Sequence, residues 1–157
     1  FAFYAGQYTG IGQNAQMFFT IDTQVHSFNL GVDLLIAGVD EAGGHIYSVG
    51  NPGGAFTDFH QIGYHAIGSG ALHALQTMIG LQQSGLRTLE ETVFATYASK
   101  RRAEAAPGVG KDTDLFIIEQ GAVTKFDEEK LRVLSEVFEK FQRPAMQEIK
   151  TEVSKLI

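Results

Sequence analysis

The sequence predicts an α+β fold in which antiparallel strands and helices pack as a layered sandwich. Strand-like segments occur in two groups joined by short glycine turns, and two helical segments lie between the groups. No regular β–α–β alternation, which a parallel sheet would require, runs through the chain. With 157 residues, 44% of them hydrophobic and 19% charged, the chain is long enough for one domain with its own core.

The first group of strands is expected to form an antiparallel meander. Residues 34–40 (LLIAGVD) are an apolar run of strand length, typical of a central strand covered on both faces. The turn residues EAGG follow, and residues 45–49 (HIYSV) return as a second strand. A third extended stretch covers residues 55–67, with a bulge or turn near Gly63.

Two helices are predicted next. After Gly70, apolar residues recur at helical spacing, and Gly85 is the expected stop. Thr88 and Glu91 have the spacing of a capping box, in which the hydroxyl and the carboxylate each accept a hydrogen bond from a free amide of the first turn. The helix that they begin is expected to reach about Ala106.

The last third of the chain predicts a hairpin and two helices. Residues 113–118 (TDLFII) have the pattern of a buried strand, and GAVTKF that of its partner. Asp127 is placed to cap a third helix, and Pro144 to begin a separate short amphipathic helix. We expect an unpartnered helical face to expose Met78 or Phe138, which predicts a homo-oligomer.

Composition narrows the classes of partner and compartment. The net charge of −6 argues against nucleic acid and anionic membranes as partners, and the basic residues 100–102 have the pattern of a solvated helix face. No apolar run approaches the roughly 20 residues of a membrane span. The absence of cysteine is compatible with a cytoplasmic protein.

The beginning of the chain is unusual. The opening segment FAFYAGQYTG predicts a strand closed by Gly10, whereas residues 14–30 have no clear periodicity. The chain starts at Phe1 without an initiator Met and without the zones of a signal peptide. We therefore expect a processed or truncated chain.

No short motif by itself identifies a chemistry. His60 and His65 are five residues apart, which would place them on opposite faces of a straight strand, so no metal site is predicted and no cofactor is expected. Gly68, Ser69 and Gly70 do not form the G-x-S-x-G nucleophile elbow, and no phosphate-binding loop is present.

A longer series of segments does carry a resemblance. The segments LLIAGVDEAGGHIYSVGNPGG, YHAIGSGALHAL, RTLEETVFATYASKRRAEA and DTDLFII resemble, in this order and spacing, the second half of a proteasome-type subunit. This family of N-terminal-nucleophile (Ntn) hydrolases includes the HslV-like peptidases. The resemblance covers residues 34 to about 125, and TGIGQNAQMFF is faintly similar to the start of the family's first helix.

The resemblance implies a four-layer αββα sandwich, a homo-oligomeric ring and a peptide substrate. In active members an N-terminal Thr attacks the peptide bond and its own α-amine serves as base, with a Lys, an Asp and a Ser nearby. Ser69 matches the supporting Ser and is not the nucleophile, while Gly68 and Gly70 belong to the turn that offers amide donors.

The chain also departs from the family pattern. Phe1 is not a nucleophile, no Gly-Thr junction occurs, and the family's first two strands would lie upstream of Phe1. The family's later Asp falls on Ala106, with Glu104 two residues away, and only Gly110 corresponds to the turn that follows. Three interpretations therefore stay open: a threonine-type peptidase subunit, a noncatalytic subunit of the same fold, and a small-molecule amide hydrolase that shares only the sandwich.

Overall fold

A computed structural model describes residues 15–28, 31–50 and 56–156. The elements in chain order are α1 (Ala15–Ser27), β1 (Leu34–Asp40), β2 (Gly43–Val49), β3 (Phe56–Asp58), α2 (Ala71–Gly80), α3 (Leu89–Ala103), β4 (Phe116–Glu119), β5 (Ala122–Lys125) and α4 (Glu128–Val153). The α+β class is confirmed, and both sheets of the described chain are antiparallel. Helix α1 occupies the segment without clear periodicity, and the strand expected over residues 1–10 lies outside the described residues.

The three-stranded sheet is the predicted meander, with the order β1-β2-β3, but the strand that was expected at its centre is not central. Strand β2 lies between β1 and β3, so β1 is an edge strand within the described part of the chain. Side chains on both faces of β1 are exposed, including Leu34 at 53% and Leu35 at 40%. Within the described residues, the prediction of a central strand covered on both faces is therefore wrong, because β1 lies at the sheet's edge and its side chains are exposed on both faces. The third strand is also short, since the chain turns at residues 60–63.

Helices α2 and α3 form an antiparallel pair whose ends differ from expectation. Helix α2 ends at Gly80 rather than Gly85, because Gln82 adopts a left-handed conformation with φ 54°. The capping box of α3 is confirmed: the Glu91 amide donates to Thr88 Oγ1 at 3.3 Å, and the Thr88 amide to Glu91 Oε2 at 3.0 Å. Helix α3 ends at Ala103, where bonds of the i→i+3 type tighten the chain up to Ala106.

The core between the helices is formed by described residues of α3 and α4. Tyr97, Ala98 and Phe138 form its centre, and the rings of Tyr97 and Phe138 meet edge to face at 6.2 Å between centroids. Met78 and Phe138 are only 8% and 5% exposed, so the expectation that an unpartnered helical face leaves them open to water is wrong. The exposed apolar residues of α2 are instead Leu72 and Ile79.

The last elements confirm the predicted hairpin and correct the predicted helix break. Strands β4 and β5 pair from Phe116↔Lys125 to Glu119↔Ala122, although Phe116 is half exposed rather than buried. Asp127 caps α4 by accepting from the Lys130 amide at 2.8 Å. Helix α4 then continues past Pro144, so no separate helix begins there; a proline removes one backbone donor but need not end a helix.

A wide apolar cavity separates the two sheets. It measures about 740 Å³ and is lined by β1, β2, β4 and the first half of α3, with Ala37, Ile46 and Ile117 among its walls. In the described part of the chain, no helix has both the length and the apolar character needed to cross a membrane.

Candidate functional site

A cleft of about 500 Å³ lies where the first turn of α2 meets the end of α3. One wall is the turn at residues 65–70, another is the side of α3 that carries Ser99 and Ala103, and a third is the loop at residues 108–112. All three predicted site residues, Gly68, Ser69 and Gly70, line it. The structure therefore brings the glycine-flanked serine to a concave surface.

Glycine is required at positions 68 and 70 for different structural reasons. Gly68 has a φ of +87°, a left-handed conformation that favours glycine, and its carbonyl accepts from the Ala71 amide at 3.0 Å. Gly70 precedes α2 and is buried; a Cβ atom there would lie 2.8 Å from Ala103 Cβ and 3.1 Å from Val109 Cγ2. The Gly-Ser-Gly turn thus lets the start of α2 approach the end of α3 closely.

Ser69 lacks the partner that a nucleophilic serine needs. It is exposed, and its hydroxyl has no hydrogen-bond partner among the described residues. His65 lines the same cleft but stacks on Phe59 with 3.7 Å between ring centroids, and burial lowers the pKa of His65. Acyl transfer by a serine requires a base within hydrogen-bond reach, and the described residues place none on the Ser69 hydroxyl.

The start of α2 supplies unpaired donors. Gly70 occupies the N-cap position without a side-chain hydrogen bond, and the first turn carries no acidic residue. Within the described chain, the amides of Leu72 and His73 have no backbone acceptor. Helix N-termini carry partial positive charge, but neither Leu72 nor His73 lines the cleft, whose wall from α2 is formed by Ala71, Ala74 and Met78.

Lys100 holds in place the wall of the cleft that is formed by the loop at residues 108–112. Its ammonium group donates to Glu104 Oε1 at 2.7 Å and to the carbonyls of Gly110 and Lys111 at 3.0 and 2.7 Å. Arg101 lies over the ring of Phe138, with 5.8 Å from its guanidinium carbon to the centroid. The predicted solvated basic face is therefore wrong for both residues, which are half-buried and hold the loop and the core.

The positions that the resemblance would assign to an acid do not reach the cleft. Ala106 is 6% exposed and apolar. Glu104 is engaged with Lys100 and does not line the cleft. Asp112, in the loop at residues 108–112, is the carboxylate that lines the cleft.

The histidines are placed by stacking and hydrogen bonding. His45 bonds to Asp40 at 2.9 Å, and its ring stacks on that of His60 with 5.2 Å between centroids. Residues 15–28, 31–50 and 56–156 contain no group of three or more His, Asp or Glu side chains arranged to hold a metal ion.

The sequence did not reveal two residues of the cleft. Ser99 is 2% exposed and its hydroxyl has no partner in the described chain, and Lys100 was interpreted as a surface charge. The recurrence of Ala95, Ser99 and Ala103 every four residues could have indicated close helix packing. It could not have indicated an unpaired hydroxyl. No protein-family profile and no curated protein sequence matches this chain.

Proposed function

We propose that this chain forms the larger part of a proteasome-like Ntn-hydrolase subunit that cleaves peptide bonds within a cytoplasmic ring. The nucleophile, a Thr or a Ser or Cys in its place, would come from a segment upstream of Phe1. In this proposal Ser69 is a supporting hydroxyl, and Gly68 and Gly70 shape the turn that presents it.

The observation that carries the proposal is the exposed Ser69 hydroxyl, which lines a cleft at the start of α2 and has no hydrogen-bond partner among the described residues. Such a serine is suited to supporting a reaction whose nucleophile and base arrive together on another segment. The order of strands, helix pair and then strand β4 is the order that the resemblance implies for residues 34 to about 125.

The exposed apolar side chains of β1 give the proposed sandwich fold independent support. Both faces of β1 expose apolar side chains, and the cavity between the sheets is about 740 Å³. Exposed apolar strands of this kind are typical of a surface that another segment covers. A four-layer sandwich with two further strands would cover it.

The test compares two forms of the protein with fluorogenic peptides. The chain that begins at Phe1 should show no turnover, because a phenylalanine side chain carries neither a hydroxyl nor a thiol to serve as the N-terminal nucleophile. The form that includes the residues encoded upstream should be processed to an N-terminal Thr, Ser or Cys and should cleave peptides. Turnover by the shorter form that Ser69→Ala abolishes would instead make Ser69 the nucleophile.

The noncatalytic subunit is favoured by one observation. Ala106, the position assigned to a catalytic Asp by the resemblance, is apolar and buried, so it contributes no charge to the cleft. A ring-forming longer protein without turnover would support this alternative. Turnover of small amides without any ring would support the third interpretation, a small-molecule amide hydrolase.

A further inference from the structure

A second cavity, of about 540 Å³, lies among the three helices α2, α3 and α4. His73 and Gln76 of α2, Ala98 and Arg102 of α3, and Phe141 of α4 are among its lining residues. It shares no lining residue with the Ser69 cleft, and its volume is within the range of small-ligand sites. It is therefore a separate candidate for a binding site.

Arg102 supplies this cavity with a positive charge that the described chain does not compensate. Its side chain is exposed, and its guanidinium makes no ion pair or hydrogen bond with a described residue. Lys100 and Arg101, which precede it, both contact Glu104 instead. The chain has alanine four positions before and four positions after Arg102, so no acidic side chain lies at the spacing of a helical ion pair.

The other described residues of the cavity add hydrogen-bond donors and no negative charge. None of the described residues that line it is Asp or Glu, although the chain as a whole has a net charge of −6. The side chains of His73 and Gln76 have no hydrogen-bond partner in the described chain, and a neutral imidazole and a carboxamide each present N–H groups. The cavity therefore favours an anion, and the single cation balances one negative charge rather than two.

The polar groups lie near one end of the helix pair. Gly70 of α2 packs against Ala103 of α3, because a Cβ atom on Gly70 would lie 2.8 Å from Ala103 Cβ. Arg102 is next to Ala103 in sequence, and His73 follows Gly70 by about one helical turn. Both side chains therefore belong to the end of the cavity at which α2 begins and α3 finishes.

The apolar wall of the cavity lies about one helical turn away. Ala98 precedes Arg102 by four residues, about 6 Å along the axis of α3, and it packs in the core with Phe138. The ring of Phe141 contacts that of Phe94 edge to face at 5.4 Å between centroids, yet Phe141 is 54% exposed. An aromatic surface is thus left open beside the charged end.

We propose that this cavity binds a carboxylate joined by a short linker to an aromatic ring. The carboxylate accepts hydrogen bonds from the Arg102 guanidinium, whose planar fork matches two oxygens, and the ring packs on Phe141. With two carbons between ring and carboxylate, such an arylalkanoic acid spans about one helical turn. The site uses only described residues, and it stands whether or not the proposed peptidase function holds.

The experiment titrates the 157-residue chain with three probes and follows its backbone amide signals by NMR. The probes are 3-phenylpropanoate, its amide 3-phenylpropanamide, and hexanoate. The aromatic acid should shift the signals of residues 73–77 and 98–105 with a Kd of about 1 mM. The amide lacks the charge and hexanoate lacks the ring, so each should bind about fivefold more weakly.

Variants assign the two parts of the ligand to two residues. Arg102→Gln should weaken binding of the aromatic acid about fivefold and leave that of the amide unchanged, so that the two bind equally. Lys111→Gln is the matched control, because it removes the same charge from an exposed lysine that does not line the cavity. Phe141→Leu should weaken the acid and the amide by the same factor, about threefold, because it removes the aromatic contact and leaves the charge.

Three results would overturn the proposal. Equal affinity of the original chain for the acid and its amide would show that the cavity does not recognise charge. A preference for the acid that survives in a folded Arg102→Gln variant would mean that another cation binds the carboxylate. Equal affinity for hexanoate and 3-phenylpropanoate would show that no aromatic ring is recognised.

Discussion

Replacing Gly63 with alanine tests how the sheet is joined to the helices. Gly63 ends the turn after β3, where its amide donates to the Phe59 carbonyl at 2.8 Å. A Cβ atom there would lie 2.3 Å from the Gly85 nitrogen and 2.8 Å from its Cα, and Gly63 also has a φ of +78°. Because both neighbouring atoms belong to backbone, no side-chain rotation can relieve the clash, and the loop between α2 and α3 has to move.

The expected cost has two parts. The left-handed conformation costs an alanine about 1–2 kcal/mol. The displaced backbone adds about 1–3 kcal/mol, the usual range for overpacking. Gly121 provides a matched control, because it also has a φ of +78° but nothing within 4 Å of its Cβ position. The entropy that alanine removes from the unfolded chain is similar at both positions and cancels in the comparison.

Urea unfolding followed by far-UV circular dichroism measures the difference. Gly63→Ala should lower the free energy of unfolding by about 1–3 kcal/mol more than Gly121→Ala does. The m-values should match that of the original chain, so that the midpoints report stability. Equal losses in the two variants would refute the contact between Gly63 and Gly85.

Three further predictions concern the elements around the cleft. Gly70→Ala should destabilise the chain by about 1–3 kcal/mol, because its Cβ would meet Ala103. Combining it with Ala103→Gly should cost less than the sum of the two single changes, as measured by urea midpoints. Strict additivity would contradict the close approach of Gly70 to Ala103. Burial lowers the pKa of His65, so the unfolded chain takes up this proton first as the pH falls, and the stability it contributes is present above about pH 6.5 and lost below it. His65→Gln should therefore flatten the fall in stability between pH 7 and pH 5, and an unaltered slope would count against this burial effect. Thr88→Ala should cost about 1 kcal/mol through loss of the α3 cap, whereas a neutral result in thermal unfolding would mean that the cap is dispensable.

Local signals in the sequence predicted local structure well. The capping residues Thr88 and Asp127 mark the true starts of α3 and α4, because a cap depends on a few neighbouring atoms. The β1–β2 hairpin follows from an apolar run and a glycine turn, and Asp40 holds that turn by accepting from the Ala42 amide at 2.7 Å. The hydrogen bond with His45 and the one from the Ala42 amide lower the pKa of the Asp40 carboxyl.

Features that depend on distant parts of the chain could not be predicted in the same way. Periodicity identified Met78 and Phe138 as apolar face residues but not what covers them: Phe138 packs against Tyr97 and Ala98 of α3, and Met78 is buried as well. An apolar run such as β1 indicates a strand without showing whether its faces are covered within the same chain. The continuation of α4 through Pro144 likewise depends on the whole helix, whereas the proline rule describes one hydrogen bond.

The candidate site was predicted in part. Ser69 and its glycines were identified from the turn pattern and the resemblance, and the structure places them at a cleft. Ser99 and Lys100 could not be recognised as cleft residues without knowing which residues of α3 face α2 and the loop. This depends on how the two helices cross. A sequence pattern alone cannot supply it.

In the proposed function, Ser69 supports a nucleophile supplied by a segment upstream of Phe1. The most direct measurement is kcat/KM for a fluorogenic peptide, comparing Ser69→Ala with the original sequence in the form that includes the upstream residues. Loss of one supporting hydrogen bond, about 1–3 kcal/mol, predicts a fall of about 5- to 150-fold with turnover still detectable. Unchanged kcat/KM, or complete loss of turnover in a correctly folded and processed variant, would contradict the claim.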